Sequence, residues 1–197
     1  MRDNYQPFNI GKRFTIAPPG IYLPENDRIK LIMDRGAFGS GEHETTRSCL
    51  EILETLPTEE NQKILDLGSG TAILTIATLL LNSGLAWCVD IEEEAIISGQ
   101  RNCQLNRVDN GITHVCGTLE QLEENKFNLI LANIYGDILL DVAEDLVDKA
   151  TSGTLLLLSG ILWEYNFDVR QKYQKLGCKL IKNRLLDEFS TILLQKD

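Results

Sequence analysis

The sequence predicts an α/β protein built on a doubly wound, mostly parallel sheet of seven strands with an antiparallel strand pair at the carboxyl-terminal end. Three observations carry that reading. From Lys63 onward, short apolar runs alternate with stretches of helical periodicity. The apolar runs are unbroken, which is the pattern of strands covered on both faces. The last two runs, residues 178–183 and 189–194, have no helix between them and so form an antiparallel pair.

Taken in order, residues 1–24 hold Pro7, Gly11, Pro18, Pro19, Gly20 and Pro24. They read as an irregular leading segment in which residues 13–17 make a short strand. Residues 29–33 are a second apolar run feeding residues 36–43, a loop with three glycines in six residues. Residues 44–56 put Thr46, Cys49, Leu50, Leu53 and Leu56 on one helical face, and Pro57 stops that helix. A strand over 64–67, a turn over 68–70 and a buried helix over 72–81 follow. Next come a strand over 85–89 ending at Asp90 and a helix over 92–106 with three leading glutamates. Strands over 112–116 and 127–132 precede Asn133. Ile138, Leu139, Val142, Leu146 and Val147 predict one helix stopping near Gly153; 154–158 is a strand, and 163–176 a helix ended by Gly177.

The chain is 197 residues with 19 basic and 29 acidic side chains, a net charge of −10. Its 43% apolar and 24% charged content is that of an ordinary globular domain. No apolar stretch approaches the ~18 residues of a membrane span. The acidic surplus argues against direct nucleic-acid binding, which rests on clustered Lys and Arg, and is compatible with a basic partner. Five cysteines without a CxxC pair read as reduced, mostly buried thiols of a cytoplasmic protein.

In parallel sheets of this kind ligands sit beyond the carboxyl ends of the strands. Here those ends are residues 66–70, Asp90, Gly117, 133–134 and 159–160. Asp66-Leu-Gly68-Ser-Gly70-Thr-Ala72 lies between a strand and a helix, the setting of a nucleotide-binding turn. A dinucleotide turn needs a third glycine at position 73, which is Ile73. The Asp66 carboxylate opposes a pyrophosphate but suits an ammonium or sulfonium, and S-adenosyl-L-methionine carries both without a phosphate. Asp90, 22 residues after Gly68, stands where an acidic side chain accepts both ribose hydroxyls. The plainer alternative is a tight turn capped by Asp66.

With Val89-Asp-Ile91 added, these residues resemble the Rossmann-type S-adenosylmethionine-dependent methyltransferases. Ala37-Phe-Gly-Ser-Gly-Glu-His-Glu-Thr-Thr46 is similar to a segment of the PrmA family, the methyltransferases of large-subunit ribosomal protein eleven. Leu131-Ala-Asn-Ile134 and Leu158-Ser-Gly-Ile-Leu162 are similar to two further segments of that family, in the same order. The resemblance implies a Rossmann-like fold and cofactor contacts from Thr46, Gly68, Asp90 and Asn133, with Phe38 and its loop as a cover. Gly70 and Asp66 complete the candidate set. Two departures, Ala72 for a glycine and Glu92-Glu93 for Asp-Pro, are expected to add a methyl group and to alter a helix start.

The resemblance further implies a leading segment over residues 1–35 and a methyltransferase domain over 36–197, with the family's amino-terminal substrate-recognition domain absent. It implies methylation of amino groups, lysine or alpha-amine, of a protein such as a basic ribosomal protein. A small-molecule acceptor and a non-catalytic nucleoside-binding module remain alternatives. Asn133 either aims a target amine, together with the carbonyls around Ile134, or caps the next helix. His43 has no partner at metal-ligand spacing, so no metal site is expected, and it reads first as a helix start. Trp163 and Tyr165 either shape a substrate mouth or pack the helix they begin.

Overall fold

The computed structural model describes residues 6–34, 41–57 and 60–197. The elements run β1 (Phe8–Ile10), β2 (Phe14–Ala17), β3 (Ile29–Ile32), α1 (Glu44–Leu53), β4 (Gln62–Leu67), α2 (Ile73–Leu81), β5 (Gly84–Asp90), α3 (Glu93–Leu105) and β6 (Ile112–Cys116). After them come β7 (Phe127–Asn133), α4 (Gly136–Asp141), α5 (Ala143–Asp148), β8 (Ala150–Leu162), α6 (Trp163–Lys175), β9 (Cys178–Leu185) and β10 (Phe189–Lys196). The large sheet has the order β6-β5-β4-β7-β8-β10-β9. β6 through β8 are parallel, while β10 is antiparallel to both β8 and β9. The chain steps outward from β4 to β6 and then returns to lay β7 beside β4. Such a reversal is where doubly wound sheets offer a ligand crevice, here at the ends of β4 and β7.

Unbroken apolar strands follow from what covers them. Ile64, Leu129, Leu131, Leu157 and Leu193 belong to one core, with α1, α2 and part of α3. Their neighbours Leu65, Ile130, Ala132, Leu156, Leu158, Ile192 and Leu194 belong to a second core, with α4, α5 and α6. Side chains alternate across a strand, so both faces of the central strands meet a hydrophobic layer.

Three predicted features come out differently. Residues 8–10, read as irregular, form β1: a run of three residues has too little periodicity to register, and only its pairing with β2 makes it a strand. β1, β2 and β3 make a small sheet whose Ile10, Phe14, Ile16 and Leu31 join the α1–α2 core. The single helix expected near residues 138–147 is two, broken at Val142, where the Leu139 carbonyl accepts a bond from the buried Tyr173 hydroxyl of α6 at 3.0 Å. Gly153 does not stop a helix; it sits inside β8 at φ +85°, a kink in the strand.

Candidate functional site

The glycine turn is held by its own neighbourhood. Gly68 and Ser69 donate their backbone N–H groups to the Val89 carbonyl at 2.8 and 3.2 Å, folding the turn onto the end of β5. Gly68 and Gly70 have φ of +68° and +53°, a region that costs other residues roughly 1–2 kcal/mol. A Cβ on Gly68 would overlap the Ile134 Cγ2 methyl, whereas one on Gly70 would meet nothing within 4 Å. One glycine therefore admits a neighbouring side chain and the other borders open space. Ala72 is more than an added methyl: it stands at the amino end of α2 with φ +60° and is fully buried. Gly99 of α3 lets that helix close onto the turn, since a Cβ there would lie 3.2 Å from the Gly70 carbonyl oxygen.

Asp90 caps this arrangement. Its Oδ2 accepts from the Gly70 N–H at 2.9 Å and its Oδ1 from the Glu92 N–H at 3.1 Å. The residue is half-buried, and each oxygen keeps a lone pair for a further donor. Two free acceptor positions beside the open space at Gly70 fit a ribose with vicinal hydroxyls. Asp66 lies deeper. It is 2% exposed, and its Oδ2 accepts from the Thr75 hydroxyl of α2 at 2.7 Å. Burial pushes its carboxyl up to about 6, against the lowering effect of Thr75, and the nearby Asp90 charge adds to the rise.

Across the crevice, Asn133 ends β7 and Thr46 projects from the first turn of α1. The Asn133 Nδ2 donates to Thr46 Oγ1 at 3.4 Å, joining two candidates 87 positions apart. Among the described residues Asn133 Oδ1 has no partner. Ile134 braces this end: its N–H donates to the Ser159 carbonyl at 3.1 Å, and a Cβ on Gly160 would sit 2.5 Å from its carbonyl oxygen. Gly68 and Gly160 are thus the two residues between which Ile134 fits. Phe38 lies outside the described residues. His43 is at the start of α1, with Nδ1 2.8 Å from the Thr45 hydroxyl and its ring edge-on to Phe189.

Two groups absent from the sequence reading hold the site together. Glu44 accepts the backbone N–H groups of Asp187, Glu188 and Phe189 at 2.8–3.3 Å, fastening α1 to the tip of the β9–β10 hairpin. Burial raises its carboxyl, but these donors and the adjacent His43 more than offset that, leaving it below its ordinary value. Asn102 of α3, fully buried, accepts from the Asp34 N–H at 2.8 Å and donates to the Thr71 carbonyl at 3.1 Å. It ties the second residue after β3 to the glycine turn. No spacing rule announces either contact, because each joins segments far apart in the chain.

A glycine turn beside a half-buried carboxylate, at the reversal point of a doubly wound sheet, defines a Rossmann-like α/β domain. A solved structure titled ribosomal protein L11 methylase, from Lactobacillus delbrueckii subsp. bulgaricus, superposes on the chain with a TM-score of 0.87 at 23% identity, covering 98% of this chain and 99% of that one. The chain belongs to the ribosomal protein L11 methyltransferase (PrmA) family, whose profile it matches over residues 1–197. Curated relatives of that name are 41% identical over 177 residues in Trichlorobacter lovleyi and 34% identical over 183 residues in Staphylococcus epidermidis. These matches cover 86% and 91% of the chain but only 58% of each relative.

Proposed function

We propose that this chain transfers a methyl group from S-adenosyl-L-methionine to amino groups, lysine or alpha-amine, of a protein. The observation that carries the reading is the pairing of Thr46 with Asn133 across the crevice from the Gly70–Asp90 contact. When bound, S-adenosylmethionine supplies an electrophilic methyl on a sulfonium. Asp90 would hold the ribose hydroxyls with its two spare lone pairs, and Gly68 and Gly70 would give the backbone room to approach. We assign Phe38 and its loop as cover. Asp66 would act from behind, its carboxylate held by Thr75 and opposing any phosphate.

The acceptor amine must be neutral, although a free lysine holds its proton up to a pKa of ~10.4. A desolvating crevice disfavours the ammonium. Asn133, fixed through its Nδ2, would accept an amine N–H at Oδ1 and so aim the lone pair, with the Ile134 carbonyl as a second acceptor. This is positioning chemistry and requires no strong base.

A basic ribosomal protein is the acceptor we propose, with residues 36–197 as the methyltransferase domain and residues 1–35 as its leading segment. Four buried thiols among five free ones support a reducing, cytoplasmic setting. No helix among the described residues is long and apolar enough to cross a membrane. Calorimetry with S-adenosylhomocysteine should show saturable binding that Asp90→Ala weakens at least tenfold. Transfer of labelled methyl to ribosomal protein should fall at least a hundredfold in Asn133→Ala with that binding retained. Absence of binding at millimolar nucleoside overturns the reading.

A further inference from the structure

The segment that follows Asn133 leads onto a surface unlike the rest of the molecule. Tyr135 and Ile138, at the start of α4, are 62% and 43% exposed, and Trp163 and Phe167, one turn apart on α6, are 54% and 61% exposed. Leu185, at the end of β9, is 62% exposed. Gly136 brings α4 against α6, because a Cβ there would lie 2.8 Å from Tyr165 Cβ. The Trp163 indole is held in place, its Nε1 donating to the Phe189 carbonyl at 3.0 Å. An exposed, oriented aromatic contributes contact area at little further entropic cost, and contiguous exposed apolar groups mark interaction surfaces.

The exposed charges on this face are mostly acidic. Asp137 and Asp141 on α4, Glu164 and Asp168 on α6, and Asp187 and Glu188 at the hairpin tip are all exposed. The neighbouring cations are engaged: Lys172 with Glu144 at 2.9 Å, Arg184 with Glu51 at 2.7 Å, and Arg170 with Asn166 and the Phe167 ring. Carboxylates interleaved with aromatic rings attract ammonium and guanidinium groups, while the rings also take up aliphatic side chains.

We propose that the face formed by α4, the first turns of α6 and the β9–β10 tip docks a basic polypeptide segment that alternates cationic and aliphatic residues. The segment delivers its amine to Asn133, two residues before Tyr135. This deepens the reading of an amine-methylating site and rests on it, adding the surface that selects the acceptor. Electrostatic attraction toward the crevice and apolar anchoring on Trp163 and Phe167 act together, so neither charge nor hydrophobicity alone suffices.

Fluorescence anisotropy of a short labelled peptide alternating lysine with valine, compared with its glutamate counterpart, tests the proposal without any methyl donor. The lysine peptide should bind and weaken several-fold as salt rises, while the glutamate peptide should not bind. Trp163→Ala with Phe167→Ala, and separately Glu164→Lys with Asp168→Lys, should each weaken binding about tenfold. Glu123→Lys, at the opposite end of the sheet, should change it less than twofold. Equal binding of both peptides, no binding, or insensitivity to both double variants overturns the proposal. So does a shift from dimer to monomer in sedimentation on replacing Trp163 and Phe167, because the face then belongs to a second copy. If S-adenosylhomocysteine binds and the lysine peptide does not, the docking face falls while the methyltransferase reading stands. If the nucleoside does not bind, the latter falls.

Discussion

The two sides of the crevice are built by different means. On the glycine-turn side, three residues are folded onto the adjacent strand, the Gly68 and Ser69 N–H groups donating to the Val89 carbonyl and the Gly70 N–H to the Asp90 carboxylate. On the Asn133 side, Asn133 and Ile134 are held by distant segments, Thr46 of α1 and the Ser159 carbonyl of β8, while Glu44 fastens α1 to the hairpin. The first side is a local motif folded onto the strand beside it. The second exists only after α1, β7, β8 and β10 have come together.

Ile134 joins the two sides, and glycine replacements at either flank separate them most strongly. Gly160→Ala should destabilise by roughly 3 kcal/mol or more in urea denaturation, because its methyl meets the Ile134 backbone and its φ is +80°. Gly68→Ala should cost a similar amount, but its clash is with a side chain. Adding Ile134→Ala should therefore recover part of the loss for Gly68→Ala and none for Gly160→Ala, a coupling that a double-mutant cycle reads directly.

Asn102→Ala probes how the glycine turn is anchored beyond its strand. Loss of the side chain takes a partner from both the Asp34 N–H and the Thr71 carbonyl, at a cost of about 2 kcal/mol. S-adenosylhomocysteine affinity should fall with it, while peptide binding on the α4–α6 face should not.

Smaller effects distinguish the sides by pH. Asp66 titrates at about 6 in the folded chain against an ordinary value of 3.8, so the folded state holds its proton longer. Its contribution to stability should therefore fall as pH rises from about 4 to 6, by about 1–3 kcal/mol, and stay lowered above that. Thermal melts of Asp66→Asn should lose this slope. Glu44 has the opposite sign. Its lowered carboxyl adds stability above the ordinary glutamate range, lost as pH falls through the folded value. Glu44→Gln should flatten the acid limb of the melting curve and lower stability near neutral pH by about 1 kcal/mol.

The comparison also explains what could be read in advance. The order and type of the strands from β4 to β10 follow from apolar runs and glycine punctuation, which are local properties. So do the turn and Asp90, whose spacing reflects one strand, one helix and one strand. β1 escaped because three residues carry no period, and the break at Val142 because its cause is a hydroxyl on α6. Glu44 and Asn102 look like ordinary surface-helix residues until the hairpin and β3 are laid beside them.

By itself the sequence determined the α/β class and the glycine turn with Asp90 at its spacing, since each depends on residues within a few turns of one another. Only the tertiary structure decided that Thr46 meets Asn133, that Ile134 is wedged between Gly68 and Gly160, and that Asp66 turns inward to Thr75. The same holds for the apolar, acidic face beyond Asn133. Those features are contacts between elements, and a contact between elements is settled by how the two cores pack against the sheet, which no stretch of sequence encodes alone.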